Sequence, residues 1–146
     1  MTDSVPPIEE VIAAFELIDD WEERYRYVIE LGRDLPAFPE RLRTAANKVR
    51  GCVSQVWLAT DVDGGPGRRP TLHFQGDSDA LIVRGLIAIL LSMFSGRTPA
   101  EIRETDPEAI FRQLELREHL TPQRSNGLSA MIRRVRADAE AASAAA

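Results

Sequence analysis

Residues 80–94 read ALIVRGLIAILLSMF, a run that is apolar on almost every face of a helix. Ser78 or Asp79 can cap such a helix at its start, and Gly96 can end it. Arg84 interrupts the run, which is also shorter than the roughly 20 residues that cross a bilayer. The segment therefore predicts a buried helix at the centre of a globular core and no membrane span.

The segments around this helix predict a small sheet and further helices. Residues 53–60 and 71–74 carry side chains typical of strands, and the glycine-rich turn at residues 63–67 joins them. Apolar residues at helical spacing predict a helical hairpin over residues 8–31. A capping residue followed by proline predicts three more helix starts, at Thr98, Asp106 and Thr121. The fold class that follows is α+β, with a small antiparallel sheet packed against helices from both ends of the chain.

Length and composition suit a single domain. With 146 residues, of which 44% are hydrophobic, the chain can bury one core of its own. We assign residues 1–136 to this domain. The alanine-rich segment 137–146 carries little that could pack, and we expect it to fray.

Charge and cysteine content narrow the class of protein. The formal net charge of -5 argues against general nucleic-acid binding, which depends on Lys and Arg neutralising phosphates. The first residues show no cationic segment followed by an apolar one, so we expect no secretory signal and a cytoplasmic protein. The single cysteine, Cys52, cannot form an internal disulfide and fits a reducing compartment.

The sequence contains few residues that could form a metal or cofactor site. Structural zinc needs four nitrogen or sulfur ligands, whereas the chain has one cysteine and two histidines, His73 and His119. The turn at residues 63–67 lacks the spacing and the Lys-Ser or Lys-Thr pair of a phosphate-binding loop. Either histidine could activate a cysteine nucleophile, although lone histidines are more often solvent-facing or locally hydrogen-bonded. We expect neither a metal nor a cofactor bound to this chain.

Cys52 is the residue best suited to chemistry. A free cysteine commonly behaves as a small buried hydrophobe, and this alternative stays open. Gly51 before it frees the backbone to present or retract a loop tip, and the nearby Lys48 and Arg50 can lower the pKa of a thiol. Together with Arg43 these cations form a basic segment on an acidic chain, which is either a solvated face or a docking patch.

Three ordered stretches resemble one protein family. Residues 48–57, KVRGCVSQVW, are similar to the VxGCxSQVW signature of the SufE family, the sulfur acceptors that partner SufS-type cysteine desulfurases. Residues 74–86, FQGDSDALIVRGL, are similar to the family's segment entering its core helix, and residues 120–128, LTPQRSNGL, to its LSPSRxNGL-like motif. The likeness is collinear from about residue 8 to residue 136, with small departures such as Val53.

The resemblance implies a fold shared with IscU-type scaffold proteins and a persulfide-carrying role for Cys52. Sulfur would come from a SufS-type cysteine desulfurase, whose own pyridoxal phosphate supports the cleavage of cysteine. It would pass to a SufB-containing scaffold complex for iron–sulfur cluster assembly. The chain would stimulate the desulfurase without being an enzyme itself, and we expect a monomer or a weak homodimer. The basic residues Lys48, Arg50 and Arg43 are our candidates for docking this partner.

Five residues are candidates for supporting the cysteine: Gly51, Asp77, Asp79, Arg124 and Asn126. Arg124 could stabilise a thiolate or persulfide anion, while Asp77 or Asp79 could cap the core helix and brace the cysteine loop. An ordinary salt bridge or helix cap is the alternative role for each of these polar residues.

Other functions stay open at this point. One is a CsdE-like carrier that serves another desulfurase and thiolation pathway, which the sequence does not separate from the SufS-linked carrier. A stand-alone thiol enzyme would need a base or a resolving partner beside Cys52. A non-catalytic binding module would keep full activity without the cysteine.

Overall fold

The computed structural model describes residues 5–64, residue 67 and residues 69–145. Residues 1–4 at the predicted start, Gly65 and Pro66 of the predicted turn, and Ala146 of the predicted tail lie outside the described residues. The described part forms, in chain order, α1 (Ile8–Leu17), α2 (Trp21–Arg33), β1 (Val56–Asp63), β2 (Thr71–Ser78), α3 (Leu81–Phe94), α4 (Pro99–Glu104), α5 (Pro107–Leu114) and α6 (Pro122–Ala145). Two single-turn 3₁₀ helices, Glu40–Leu42 and Arg117–His119, precede β1 and α6.

The two strands form an antiparallel pair, as the sequence predicts. Val56 lies opposite Ser78 at one end of the ladder, and Asp63 lies opposite Thr71 at the other. Alternate side chains of β2 are buried, including Leu72 and Phe74, because successive residues of a strand point to opposite faces. One face of the sheet therefore packs on the core and the other is more exposed, and the predicted α+β class is confirmed.

Helix α3 lies at the centre of the core, again as predicted. Val83 and every residue from 85 to 94 are buried, so that apolar side chains on all sides of the helix find neighbours. It packs against α2 and the sheet, with further contacts to α1 and α6. Among the described residues, no helix has both the length and the apolar character that crossing a bilayer requires.

Helices α2 and α3 approach each other so closely that their backbones touch. A Cβ atom placed on Gly85 would stand 2.2 Å from the carbonyl oxygen of Val28. A Cβ atom on Gly32 would stand 2.5 Å from the backbone nitrogen of Gly85. Only glycine leaves room for this contact, because any side chain would have to push one helix away from the other.

The last helix runs beyond the predicted domain boundary at residue 136. Among the described residues α6 continues to Ala145 and Ala139 is buried, so this segment packs more than the sequence analysis expects. Alanine has the highest intrinsic helix propensity, and Ala139 extends the buried stripe of Leu128, Met131 and Val135 along one face.

Replacing Gly85 with alanine should destabilise the fold severely. The added methyl group would overlap Val28, a backbone contact that no side-chain rotation relieves, and we expect a loss of about 3 kcal/mol or more of unfolding free energy. Urea denaturation of the purified variant measures this loss. Glu16→Ala, at an exposed position of α1, is the control, and equal midpoints for the two variants would contradict the prediction.

Candidate functional site

Cys52 lies in the loop before β1, with its side chain partly buried against the core. Its thiol can donate a weak hydrogen bond to the carbonyl oxygen of Gly127 in α6, with 3.6 Å between sulfur and oxygen. This contact joins the loop to the first turns of α6, which is distant in the sequence.

Gly51 places the loop tip directly on α6. Its φ angle of 94° lies in the region that glycine adopts readily and other residues rarely do. A Cβ atom at this position would stand 3.3 Å from the Cβ of Ala130, so the backbone of Gly51 rests against that side chain. Val53, on the other side of the cysteine, is 76% exposed.

Backbone pairing closes the base of this loop. The N–H of Val49 donates to the carbonyl of Val56 at 2.8 Å, and the N–H of Leu58 donates to the carbonyl of Asn47 at the same distance. Residues 50–55 therefore form a short excursion, held at its base and carrying the cysteine near its tip.

Asp79 braces the end of the loop nearest the core helix. Its Oδ1 accepts a hydrogen bond from the N–H of Gln55 at 3.1 Å, and its own N–H donates to the carbonyl of Gln55 at 3.3 Å. The predicted capping role is wrong, because Ala80 occupies the N-cap position of α3 and supplies no capping side chain.

Asp77 neither caps α3 nor touches the cysteine loop through its side chain. Its carboxylate lies 2.5 Å from Nη2 of Arg43 and 3.2 Å from Nε of Arg84. Arg43 also lies over the ring of Trp57, with 4.9 Å from its guanidinium carbon to the ring centre. Arg43, which the charge pattern marks as a candidate docking residue, is thus occupied by contacts within the chain.

A cavity of about 190 Å³ opens beside the thiol of Cys52. Its apolar wall comes from side chains of the sheet, the core helix and the last helix, namely Val56, Val83, Leu86 and Met131. Its polar wall comes from the cysteine loop and the start of α6, namely Ser54, Thr121, Gln123 and Arg124. The cavity is large compared with the roughly 30 Å³ that a water molecule occupies in the liquid, so an additional sulfur atom fits.

Arg124 and Asn126 lie close together in the first turns of α6, yet only Arg124 lines the cavity. Its guanidinium belongs to an exposed residue, so it can reach an anion bound in the cavity from the rim. Asn126 is exposed and lies outside the cavity lining, and nothing in the described structure ties it to Cys52.

Two opposing effects act on the thiol of Cys52. Burial raises its pKa above the ordinary cysteine value, and the positive charge of Arg133 lowers it by a smaller amount. The cation that acts on the thiol is therefore Arg133, which the sequence analysis missed, as it did Ala130. Gly127, Ala130 and Arg133 are spaced three residues apart, which places them on one helix face. The sequence does not show which face of α6 packs against the loop, because this depends on tertiary structure.

Neither histidine lies at this cavity in the described structure. The ring of His119 stacks on Trp21, with 3.8 Å between ring centres. His73 lies on β2, where its Nε2 is 3.3 Å from the hydroxyl of Thr71. A Cys-His pair, the requirement for a self-activated thiol enzyme, is thus not formed by the residues that the structure describes.

The same part of the chain has no group of three or more His, Cys, Asp or Glu side chains that could hold a metal ion. The chemistry available here is that of one partly buried thiol, a cavity beside it and the guanidinium groups of Arg124 and Arg133.

Comparison with known proteins shows the family to which this chain belongs. The model of the SufE family, described as an Fe-S metabolism associated domain, matches residues 9–139. This chain belongs to the SufE family. That membership places it in iron–sulfur metabolism and indicates a role in sulfur transfer.

Two curated relatives are named as uncharacterized SufE-like proteins. One from Rhizobium meliloti (strain 1021) is 53% identical over 133 residues, which cover 91% of this chain and 94% of the relative. One from Rhizobium etli is 51% identical over 138 residues, covering 94% of this chain and 93% of the relative. The solution structure of a hypothetical protein from Thermus thermophilus aligns with a TM-score of 0.73 at 23% identity, over 94% of this chain and 96% of that one, and shows the same fold.

Removing the brace at Asp79 should make Cys52 more reactive. Asp79→Ala deletes the acceptor for the N–H of Gln55 and should cost the loop about 1 kcal/mol of stabilisation. We therefore expect alkylation of Cys52 by iodoacetamide to become about fivefold faster, because about 1 kcal/mol corresponds to that factor in the population of the open loop. Asp19→Ala, at an exposed aspartate before α2, is the matched control. Identical alkylation rates in the two variants would show that Asp79 does not restrain the loop.

The reactivity of Cys52 should also depend on pH in a defined direction. Because burial raises its pKa, half-maximal alkylation should occur at a higher pH than for cysteine in the urea-unfolded chain. Arg133→Gln removes the opposing charge and should move the midpoint further up. Arg103→Gln, an exposed arginine of α4, should leave it in place. A midpoint that falls in Arg133→Gln would contradict this electrostatic account.

Proposed function

We propose that this SufE-family protein is a sulfur carrier. Its Cys52 receives persulfide sulfur from a SufS-type cysteine desulfurase. The protein stimulates that enzyme and passes the sulfur to a SufB-containing scaffold complex. The observation that carries the proposal is the solitary thiol beside a cavity with room for one more sulfur atom. The chain needs no cofactor for this role, because pyridoxal phosphate belongs to the desulfurase.

The transfer step is a thiol–disulfide-type exchange. The thiolate of Cys52 attacks the outer sulfur of the desulfurase persulfide, so that a new S–S bond forms to Cys52 as the old one breaks. The electron pair of the broken bond stays on the desulfurase cysteine, which leaves as a thiolate ready for another turnover. No net oxidation occurs, and the outer sulfur remains on Cys52 as a persulfide.

Arg124 supports this step by its position at the rim of the cavity. A persulfide is acidic and largely anionic, and a guanidinium at the rim supplies charge-assisted hydrogen bonds to such an anion. The apolar wall of the cavity would keep water and soluble thiols away from the bound sulfur between partners.

The burial of Cys52 suits a carrier whose thiol reacts slowly in the free protein and reacts faster once a partner has bound. A raised pKa leaves less thiolate at neutral pH, so adventitious reactions are slow. Docking would then draw the loop tip outward, with Gly51 absorbing the change in backbone angle. The base of the loop, held by the pairing of Val49 with Val56, need not move.

The cysteine count supports the same function. A second thiol in the chain could attack the Cys52 persulfide, expel sulfide and leave an internal disulfide as a dead end. With one cysteine in the sequence, that loss cannot occur within a single molecule. A scaffold that assembles clusters would instead need several thiolate or imidazole ligands.

The proposed carrier would work in the cytoplasm as a monomer or a weak homodimer. A CsdE-like carrier, which feeds a different desulfurase and thiolation pathway, is the related alternative. A stand-alone thiol enzyme is less well supported, because the described structure offers Cys52 neither a histidine base nor a resolving thiol.

The deciding experiment mixes the purified protein with a SufS-type desulfurase, cysteine and pyridoxal phosphate. We expect faster sulfide release with a reductant present, and without it a mass increase of one sulfur atom on Cys52. Both effects should be lost in Cys52→Ser, while Glu16→Ala, at an exposed position of α1, should keep the adduct. A desulfurase panel that includes a CsdA-type enzyme separates the two carriers, and a lack of stimulation across the panel would refute the proposal.

A further inference from the structure

A basic groove lies next to the cysteine loop and shares no lining residue with the cavity. It is lined by the segment before the loop and by one face of α6, namely Ala45, Ala46, Lys48, Val49, Arg50, Ala130, Arg133 and Arg134. Four of these residues are cationic, and among the described residues that line the groove none is acidic. On a chain with a formal net charge of -5, this is a local reversal of sign.

Three of the four cations are free to meet a ligand. Arg134 is used within the fold, where its Nε lies 3.1 Å from Oδ2 of Asp138. Lys48, Arg50 and Arg133 are exposed, and within the described part of the chain they take part in no ion pair. Their charge is therefore uncompensated at short range, which favours an anionic partner.

The groove leads to the reactive thiol. A second depression shares Ala45, Lys48, Val49 and Arg50 with it and ends at Gly51 and Cys52. The charge of Arg133 also reaches the thiol, as its effect on the pKa of Cys52 indicates. A ligand in the groove would thus lie against the loop that has to move.

We infer that the basic groove binds an acidic segment of the protein that exchanges sulfur with Cys52. The inference rests on the proposed function for the identity of that protein. The uncharged part of the lining consists of small side chains, Ala45, Ala46 and Ala130 with Val49. An extended backbone with small residues can therefore lie close to it while its carboxylates reach the three free cations. A long polyphosphate chain is disfavoured, because beyond the groove it would meet the net negative charge of the molecule.

The test measures binding without chemistry, in a Cys52→Ser background. Arg50→Glu/Arg133→Glu reverses the charge of both walls of the groove, whereas Arg103→Glu/Arg112→Glu makes the same change in charge at exposed positions of α4 and α5. The dissociation constant for a SufS-type desulfurase loaded with pyridoxal phosphate is measured at about 50 mM and about 300 mM salt. Circular dichroism confirms that both variants are folded.

We expect the groove variant to bind about tenfold more weakly than the parent at low salt, and the difference to shrink at high salt because the lost attraction is screened. The control variant should stay within about twofold of the parent. Equal weakening of both variants, or full-strength binding by the groove variant, would overturn the inference.

A second probe makes the result independent of the proposed function. A fluorescent peptide of about ten Glu and Ala residues is titrated against the parent and the groove variant at low salt, in parallel with a single-stranded RNA of similar length. One outcome is that the wild-type protein stimulates no desulfurase while the parent binds the peptide and the groove variant does not. In that case the proposed function fails and the acidic-segment inference stands. If the groove variant loses mainly RNA binding, the groove belongs to nucleic acid and the inference is overturned. If the variant loses only self-association, measured by sedimentation, the groove binds a second copy of this chain and the inference is likewise overturned.

Discussion

The position of the reactive sulfur depends on one contact, that between the cysteine loop and α6. Gly51 reaches the side chain of Ala130 with a backbone angle that suits glycine, and Cys52 then lies over the carbonyl of Gly127. Helix α6 is itself fixed by the burial of Leu128 and Met131 in the core. The thiol is thereby placed by core packing, although it lies in a loop, and the cavity beside it is a consequence of that placement.

Burial and charge act on the thiol in opposite directions, and both are useful to a carrier. Burial dominates and keeps Cys52 protonated at neutral pH, while Arg133 limits how far its pKa rises. A thiol controlled by burial alone would become reactive only when fully exposed. With a permanent cation nearby, a small outward movement of the loop lowers the pKa by restoring hydration, and the charge of Arg133 still favours the thiolate.

Sequence reasoning succeeded where a local pattern determines the structure. The all-round apolar run at residues 80–94 could only be a central helix, and the strand pair around the glycine-rich turn followed from alternation and turn chemistry. It failed where the answer depends on a partner distant in the chain. The pairing of Arg43 with Asp77 and the approach of Arg133 to the thiol are both tertiary contacts. The helical tail was missed for a different reason, because an alanine-rich segment was judged by what it could bury and not by its propensity.

The loop combines a firm base with a weakly held tip. At the base, backbone hydrogen bonds join Val49 to Val56, whereas the tip is held by one long thiol–carbonyl contact and by the touch of Gly51 on Ala130. A neutral hydrogen bond contributes about 1 kcal/mol net, and a weak sulfur donor contributes less, so lifting the tip costs on the order of 1 to 2 kcal/mol. A few charge contacts at about 0.5 to 1 kcal/mol each are enough to offset that cost. Arg50 both lines the basic groove and begins the loop, so a partner that binds this residue acts on the tip directly.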